Sequence, residues 1–197
     1  MSDDIERIHA FDMDGTLLDT HSPETGQVEW QRLHGEPWPH KGWWGRPETL
    51  TKLPVKKFED MVQHLDAAKA DSKGHTMVIT GRVDNPKMRG AVMHAFSQAG
   101  VEPPGDVHLK TGGSPTEVWK GQRLKEIASR YPNLKEIHMW DDRPEHIPYF
   151  KSLNDPAHPH HPGVPVHVHY VNRQVEESIK GFLVAQAALN AMGAGRQ

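Results

Sequence analysis

The sequence predicts an α/β fold, a mostly parallel sheet covered by helices on both faces. Short apolar runs alternate with longer helix-patterned stretches in the order β-(insert)-α-β-α-β-α-β-β-α, the signature of βα units. Right-handed crossovers between parallel strands would bring every strand's C-terminal end to one edge. Three of those ends carry polar residues that a core does not need, and ligands bind at that edge in open α/β sheets.

The elements follow in order. IERIHAF (5–11) reads as a short strand delivering Asp12, after which GTLLD turns away. Residues 21–54 have no clean period but hold four of the six tryptophans and five prolines. So many aromatics exclude a disordered linker and predict an ordered, loop-rich insertion. KFEDMVQHLDAAKAD (57–71) is a helix with Phe58, Met61, Val62 and Leu65 on one face. HTMVIT (75–80) is an apolar strand stopped by Gly81. In the helix over 85–100, Asn85 is the N-cap, Pro86 takes the first helical position and Gly100 ends it. GDVHLK (105–110) is a strand; residues 114–132 form a helix capped by Ser114 or Thr116 and stopped by Pro132. KEIHMW (135–140) runs into Asp141 and Asp142, PVHVHYV (165–171) is a last strand, and 176–192 a last helix.

Bulk properties bound the function. A length of 197 residues fits one domain, 1–197, with the 21–54 insertion inside it. A net charge of −3 gives no global basic signature for nucleic acid. Fifteen histidines, with an isoelectric point near 6.6, make the surface cationic on mild acidification. Cysteine is absent, which excludes disulfides and thiol chemistry. No apolar run approaches the ~20 residues of a membrane span, and the acidic N-terminus does not read as a signal peptide. A soluble, cytoplasmic protein with no membrane partner is expected.

The strand ends present Asp12 and Asp14, then Thr80, then Asp141 and Asp142. Four carboxylates in one crevice repel one another, and a hard divalent cation resolves that repulsion. Magnesium takes one or two carboxylates and leaves positions for water and substrate phosphate. The hydroxyl of Thr80 and the amides of Gly81 and Arg82 suit an anion. Lys120 suits a compensating charge, with Lys110 and Lys125 as rivals for that role. Thr80 ending its strand on a backbone hydrogen bond is the plainer alternative.

FDMDGTLLD, VITGR, the lysine of WKGQRL and MWDDRPEH together resemble, in order, the four motifs of the haloacid dehalogenase (HAD) superfamily, over residues 7–150. The resemblance implies a three-layer α/β/α Rossmann-like fold with a small cap at 21–54. It implies a magnesium-dependent phosphomonoesterase in which Asp12 is the nucleophile forming an aspartyl-phosphate. Asp14 would be general acid and then base, with a raised pKa. Thr80 would hold a phosphoryl oxygen, Lys120 would neutralise charge, and Asp12, Asp14, Asp141 and Asp142 would hold the metal. The second acid of DxD points to the phosphatase branch.

A narrower likeness joins GWW (42–44), VITGR, HLK (108–110), TEVWKGQRL and DDRPEHIPYF (141–150). Together these are similar to the Swiss Army Knife RNA-repair-like branch of the superfamily. That implies a substrate phosphorylated at a polynucleotide end, such as a 3′-phosphate. Trp43 or Trp44 would stack on a base; Arg46, Arg82 and Arg143 would contact backbone phosphates. A small-metabolite phosphatase and a catalytically silent binding module stand as alternatives. Trp43 and Trp44 as packing residues is the bland alternative, and His146 is expected to cap or pack its segment. HPHHPGVPVHVH (158–169) is either a metal site, with His167 and His169 on one strand face, or a solvated loop.

Overall fold

The computed structural model describes residues 4–173. The chain runs β1 (Arg7–Phe11), β2 (Leu18–Asp19), α1 (Pro23–His34), α2 (Glu48–Thr51), β3 (Lys56–Lys57) and α3 (Glu59–Ala70). It continues with β4 (Gly74–Val83), α4 (Pro86–Gln98), β5 (Asp106–Lys110), α5 (Thr116–Ala128), β6 (Glu136–Asp141), α6 (Ile147–Ser152) and β7 (Val166–Tyr170). The main sheet has the order β5-β4-β1-β6-β7, and every pairing in it is parallel. The predicted last helix, 176–192, lies outside the described residues.

This order explains where a site can form. The chain lays down β1, β4 and β5 in one direction, then returns to place β6 and β7 on the other side of β1. Strand order reverses between β1 and β6, so a crevice opens beyond their C-terminal ends. Period-two alternation sends Ile8 and Ala10 to one face and Phe11 to the other. Phe11 packs with Leu65 of α3 and Val92 and Phe96 of α4; Ile8 and Ala10 pack with Leu124 and Ile127 of α5 and Phe150 of α6. Each such buried side chain contributes about 1.5–3 kcal/mol of hydrophobic stabilisation.

Some boundaries differ from expectation. Gly81 does not end its strand: β4 continues to Val83, with a register shift after Thr80. Helix α5 begins behind Pro115 with no side-chain cap from Ser114 or Thr116. Asn85 does cap α4, accepting from Met88 N at 2.9 Å.

The insertion is less loop-rich than predicted, because α1 occupies twelve of its residues. Ser22 caps that helix, Pro23 opens it and Gly35, at φ 74°, closes it. Only Gly26 and Trp30 of α1 are buried, too narrow a stripe to register as a helical period. Glycine inside a helix costs about 0.5–1 kcal/mol. Here a Cβ on Gly26 would lie 2.0 Å from the Trp43 ring, so its absence seats that indole on the helix. Trp30, Trp43 and Leu53 make a small core of their own, with Trp38 and Trp44 packed against it.

Candidate active site

The site is built at the switch point. Asp12 follows β1 directly, and its amide donates to Trp140 O at 2.9 Å, which aligns it with Asp141 at the end of β6. From the opposite face α5 inserts Lys120, whose side chain has no solvent exposure. Its Nζ lies 2.9 Å from Asp12 Oδ2 and 2.7 Å from Asp141 Oδ2. The rival lysines are elsewhere: Lys125 donates to Pro159 O, and Lys110 sits in the edge strand. His146, just before α6, places Nδ1 3.1 Å from Asp141 Oδ1. The backbone N–H of Arg143 donates to that same oxygen at 3.0 Å, which fixes the carboxylate's orientation.

Asp142 completes a three-carboxylate group. One oxygen from each of Asp12, Asp141 and Asp142 lies within 4.8 Å of the others. Asp142 Oδ1 is buried without a hydrogen-bond partner. Gly15, at φ 71°, lets the chain pass here: a Cβ would stand 2.1 Å from Asp142 Oδ2. Three carboxylates against one ammonium leave two excess negative charges when all are ionised. Burial pushes Asp12 up to about 6 against the pull of Lys120. Burial, with the charges of Asp12 and Asp141, pushes Asp142 up to about 8. Burial opposes ionisation at Asp141 as well, but Lys120 and His146 hold it well below the usual carboxylate range. The orphaned oxygen, the hard oxygen donors and the charge excess all fit a divalent cation.

Asp14 departs from expectation twice. Its carboxylate is not in the metal-ligating group; it receives Arg82 Nη2 at 2.7 Å and Thr20 Oγ1 at 2.8 Å, and lies 3.3 Å from Thr80 Oγ1. Its pKa is lowered rather than raised: burial disfavours the charge, but the Arg82 guanidinium outweighs burial. Arg82 itself is only 1% exposed. It donates to Trp44 O and to Thr49 Oγ1, each at 2.9 Å, and so ties the insertion to the site. The expected contact of Arg82 with backbone phosphates is corrected accordingly: it borders the crevice, but Nε, Nη1 and Nη2 already donate to Asp14, Trp44 O and Thr49. Its amide donates to Thr80 Oγ1 at 3.2 Å, so neither that amide nor that hydroxyl is idle.

Of the two tryptophans, Trp43 is 4% exposed and donates Nε1–H to His21 O; it is insertion core and not a stacking surface. Trp44 instead lines the crevice, with the guanidinium carbons of Arg82 and Arg143 5.0 and 5.1 Å from its rings. Arg46 donates to Lys41 O and does not line the crevice. The crevice, about 90 Å³, is lined by Asp12, Asp14, Trp44, Gly81, Arg143 and His146 among others. A neighbouring cleft of about 250 Å³ brings in Gly15, Thr20 and Asp142.

Sequence reasoning missed the part His146 plays, although its place five residues after Asp141 signals an orienting partner. Thr20 and Thr49 carry no sequence signal, because their importance depends on what Asp14 and Arg82 do. In the histidine-rich segment, His160 bonds Tyr149 and His161 bonds Leu153 O. His169 lies 3.0 Å from His138, and His167 stacks on the same ring. Among the described residues the three aspartates are the group that gathers three metal-ligating atoms. No described helix is long and apolar enough to cross a membrane.

A family model described as HAD domain family 1 in Swiss Army Knife RNA repair proteins matches residues 30–180. An uncharacterised protein of Saccharomyces cerevisiae, YMR265C, is 26% identical over 178 residues, covering 76% of this chain and 37% of its own length. The chain thus spans little more than a third of that relative. Among solved structures, the HAD domain of effector protein Lem4 from Legionella pneumophila superposes with a TM-score of 0.47 at 15% identity, over 91% of this chain and 94% of that one. An inactive mutant of the same domain gives 0.46 at 13% identity, over 94% and 99%. With its family model matched over most of its length, the chain belongs to the haloacid dehalogenase superfamily, in the family of HAD domains found in Swiss Army Knife RNA repair proteins.

Proposed function

We propose that the protein is a magnesium-dependent phosphomonoesterase that removes a phosphate from a polynucleotide end through an aspartyl-phosphate on Asp12. The observation that carries this reading is the buried Asp12–Lys120–Asp141 arrangement with the unpartnered oxygen of Asp142 beside it. An Asp12 oxygen attacks phosphorus, the bond from phosphorus to the leaving alcohol breaks, and that alcohol takes a proton from Asp14. Asp14, now ionised, takes a proton from water whose oxygen attacks phosphorus. The bond to Asp12 breaks, inorganic phosphate leaves, and the first carboxylate is restored. Lys120 neutralises charge on Asp12 and on the transferred oxygens, and His146 keeps Asp141 oriented. Asp12, Asp141 and Asp142 are the residues that would hold a magnesium ion, which would supply the remaining charge neutralisation.

The Arg82 pair suits Asp14 as the base of the second half-reaction, when it must be ionised. For the first half the pair must loosen as substrate arrives, so that Asp14 can carry a proton. Trp44 lines the crevice, and a base entering beside the reacting end would stack on it in exchange for the Arg143 guanidinium.

The test has two arms. An aryl phosphate that releases a coloured alcohol is expected to turn over with magnesium in the wild type and not in Asp12→Asn. Turnover that survives this substitution removes the mechanism; none in the wild type leaves a silent binding module. Release of terminal phosphate from a short oligonucleotide is then compared with release from mononucleotides at equal concentration. Equal or better turnover of the mononucleotides favours a small-metabolite phosphatase.

A further inference from the structure

The geometry points to a second subsite, a polar cavity beyond the end of β5 that receives the base of the nucleotide next to the reacting end. The inference rests on the polynucleotide-end reading above. The cavity measures about 360 Å³, within the range of small-molecule sites, and is larger than either cleft at the aspartates. Its lining takes in the C-terminal end of β5, on the sheet edge that carries the crevice, and runs along α5 from Trp119 to Glu126. The two share neighbouring stretches of chain: Gly81 and Thr116 line the crevice, while Asp84 and Ser114 line the cavity. Strand β5 lies two places from β1, roughly 10 Å at ladder spacing, and the cavity lies beside and beyond it. That offset suits the adjoining nucleotide and not the one whose phosphate reacts.

Charge selects the kind of group. Both arginines of the cavity are already paired, Arg89 with Asp84 through two bonds of 2.6 and 2.7 Å and Arg123 with Glu126 at 2.7 Å. The lining is therefore close to neutral, and an entering phosphate would meet two carboxylates. A heterocyclic base suits it better. The Gln122 amide donates and accepts, the Ser114 hydroxyl does the same, and the paired guanidinium planes offer stacking faces. Trp119, a buried core residue whose N–H goes to Thr111 Oγ1 at 3.3 Å, closes the cavity's inner wall.

The test uses two oligonucleotides with the same 3′-phosphate, one normal and one lacking the base of the penultimate nucleotide. A base-binding subsite is expected to lower kcat/KM for the abasic substrate by about tenfold or more. The variant Gln122→Ala is expected to shrink that difference by slowing the normal substrate and leaving the abasic one near its wild-type value. Equal kcat/KM for the two substrates, or an equal fall for both in the variant, overturns the subsite while leaving the phosphatase on polynucleotide ends intact. Mononucleotides turned over as fast as the normal oligonucleotide would overturn the parent reading and the subsite with it. The aryl phosphate, measured on each preparation, reports intact catalysis independently of either.

Discussion

Strands β1 and β6 each carry ionisable groups at two levels, and the two levels handle burial in opposite ways. At their C-terminal ends Asp12 and Asp141 are buried and share one ammonium. Lower down, His9 and His138 stack with ring centroids 5.3 Å apart, joined by Trp140 and His169 at 4.5 Å from each other. The upper level keeps its charges and imports an opposite one. The lower level gathers like groups, and burial pushes His138 and His169 down, towards the neutral imidazole. Asp142, beside the upper pair but without a share of the Lys120 ammonium, goes the way of the histidines and is pushed by burial towards its neutral form.

Removing the imported charge breaks that contrast most severely. Lys120→Met leaves Asp12 and Asp141 buried without their cation, and about 3–5 kcal/mol of stability is expected to go, read from the urea midpoint at pH 7. A loss below about 1 kcal/mol would mean that the acids shed their charge as easily as the histidines do. Next comes Asp71, which accepts two hydrogen bonds from Arg7 at 2.7 and 2.8 Å and lies 3.2 Å from His9 Nε2. Asp71→Asn is expected to cost about 1–3 kcal/mol at pH 7. The Arg7 bonds lower the Asp71 pKa, so its stabilisation is present above the ordinary value of 3.8 and fades as pH falls below it. Wild type and variant should therefore converge in strong acid, and a gap that stays constant to low pH would contradict the ion-pair account. Smallest is His169→Phe. The folded-state pKa values of His138 and His169 are lowered, so the wild type loses stability as pH falls through the ordinary value of 6.5. Burial lowers His169 most, and the charges of His138, His167, His64 and His9 facing it lower it further. Melting temperature should fall less steeply between pH 7 and pH 5 in the variant; parallel curves would exclude the stack as the cause.

What the sequence revealed follows the same division. Asp12, Asp141 and Asp142 were readable because strand ends have one place to go in a parallel sheet; Lys120 was readable only through the motif resemblance, with Lys110 and Lys125 as rivals, since Lys125 shares its helix. Arg82 was not, since a strand-end arginine turns inward only if a carboxylate awaits it. Asp14 is 68 residues away and the supporting Thr49 is 33. The tryptophan pair shows the limit most sharply: adjacent residues of one type, Trp43 sealed into the insertion and Trp44 facing the crevice. No local pattern separates them, because Gly26 decides which indole fits against α1. The fold class was legible throughout; α1 was not, for want of a broad apolar stripe.

The central position of β1 has a consequence for how the chain folds. Its two neighbours are supplied by residues 74–78 and 136–140, so the earliest strand is also among the last to have both its edges satisfied. Asp141 ends β6, so its pairing with Lys120 and its place beside Asp12 require that strand to have docked. Closing contacts of such long sequence separation slows folding, and catalytic competence and completion of the sheet should arrive as one kinetic event when the denatured protein is returned to native conditions.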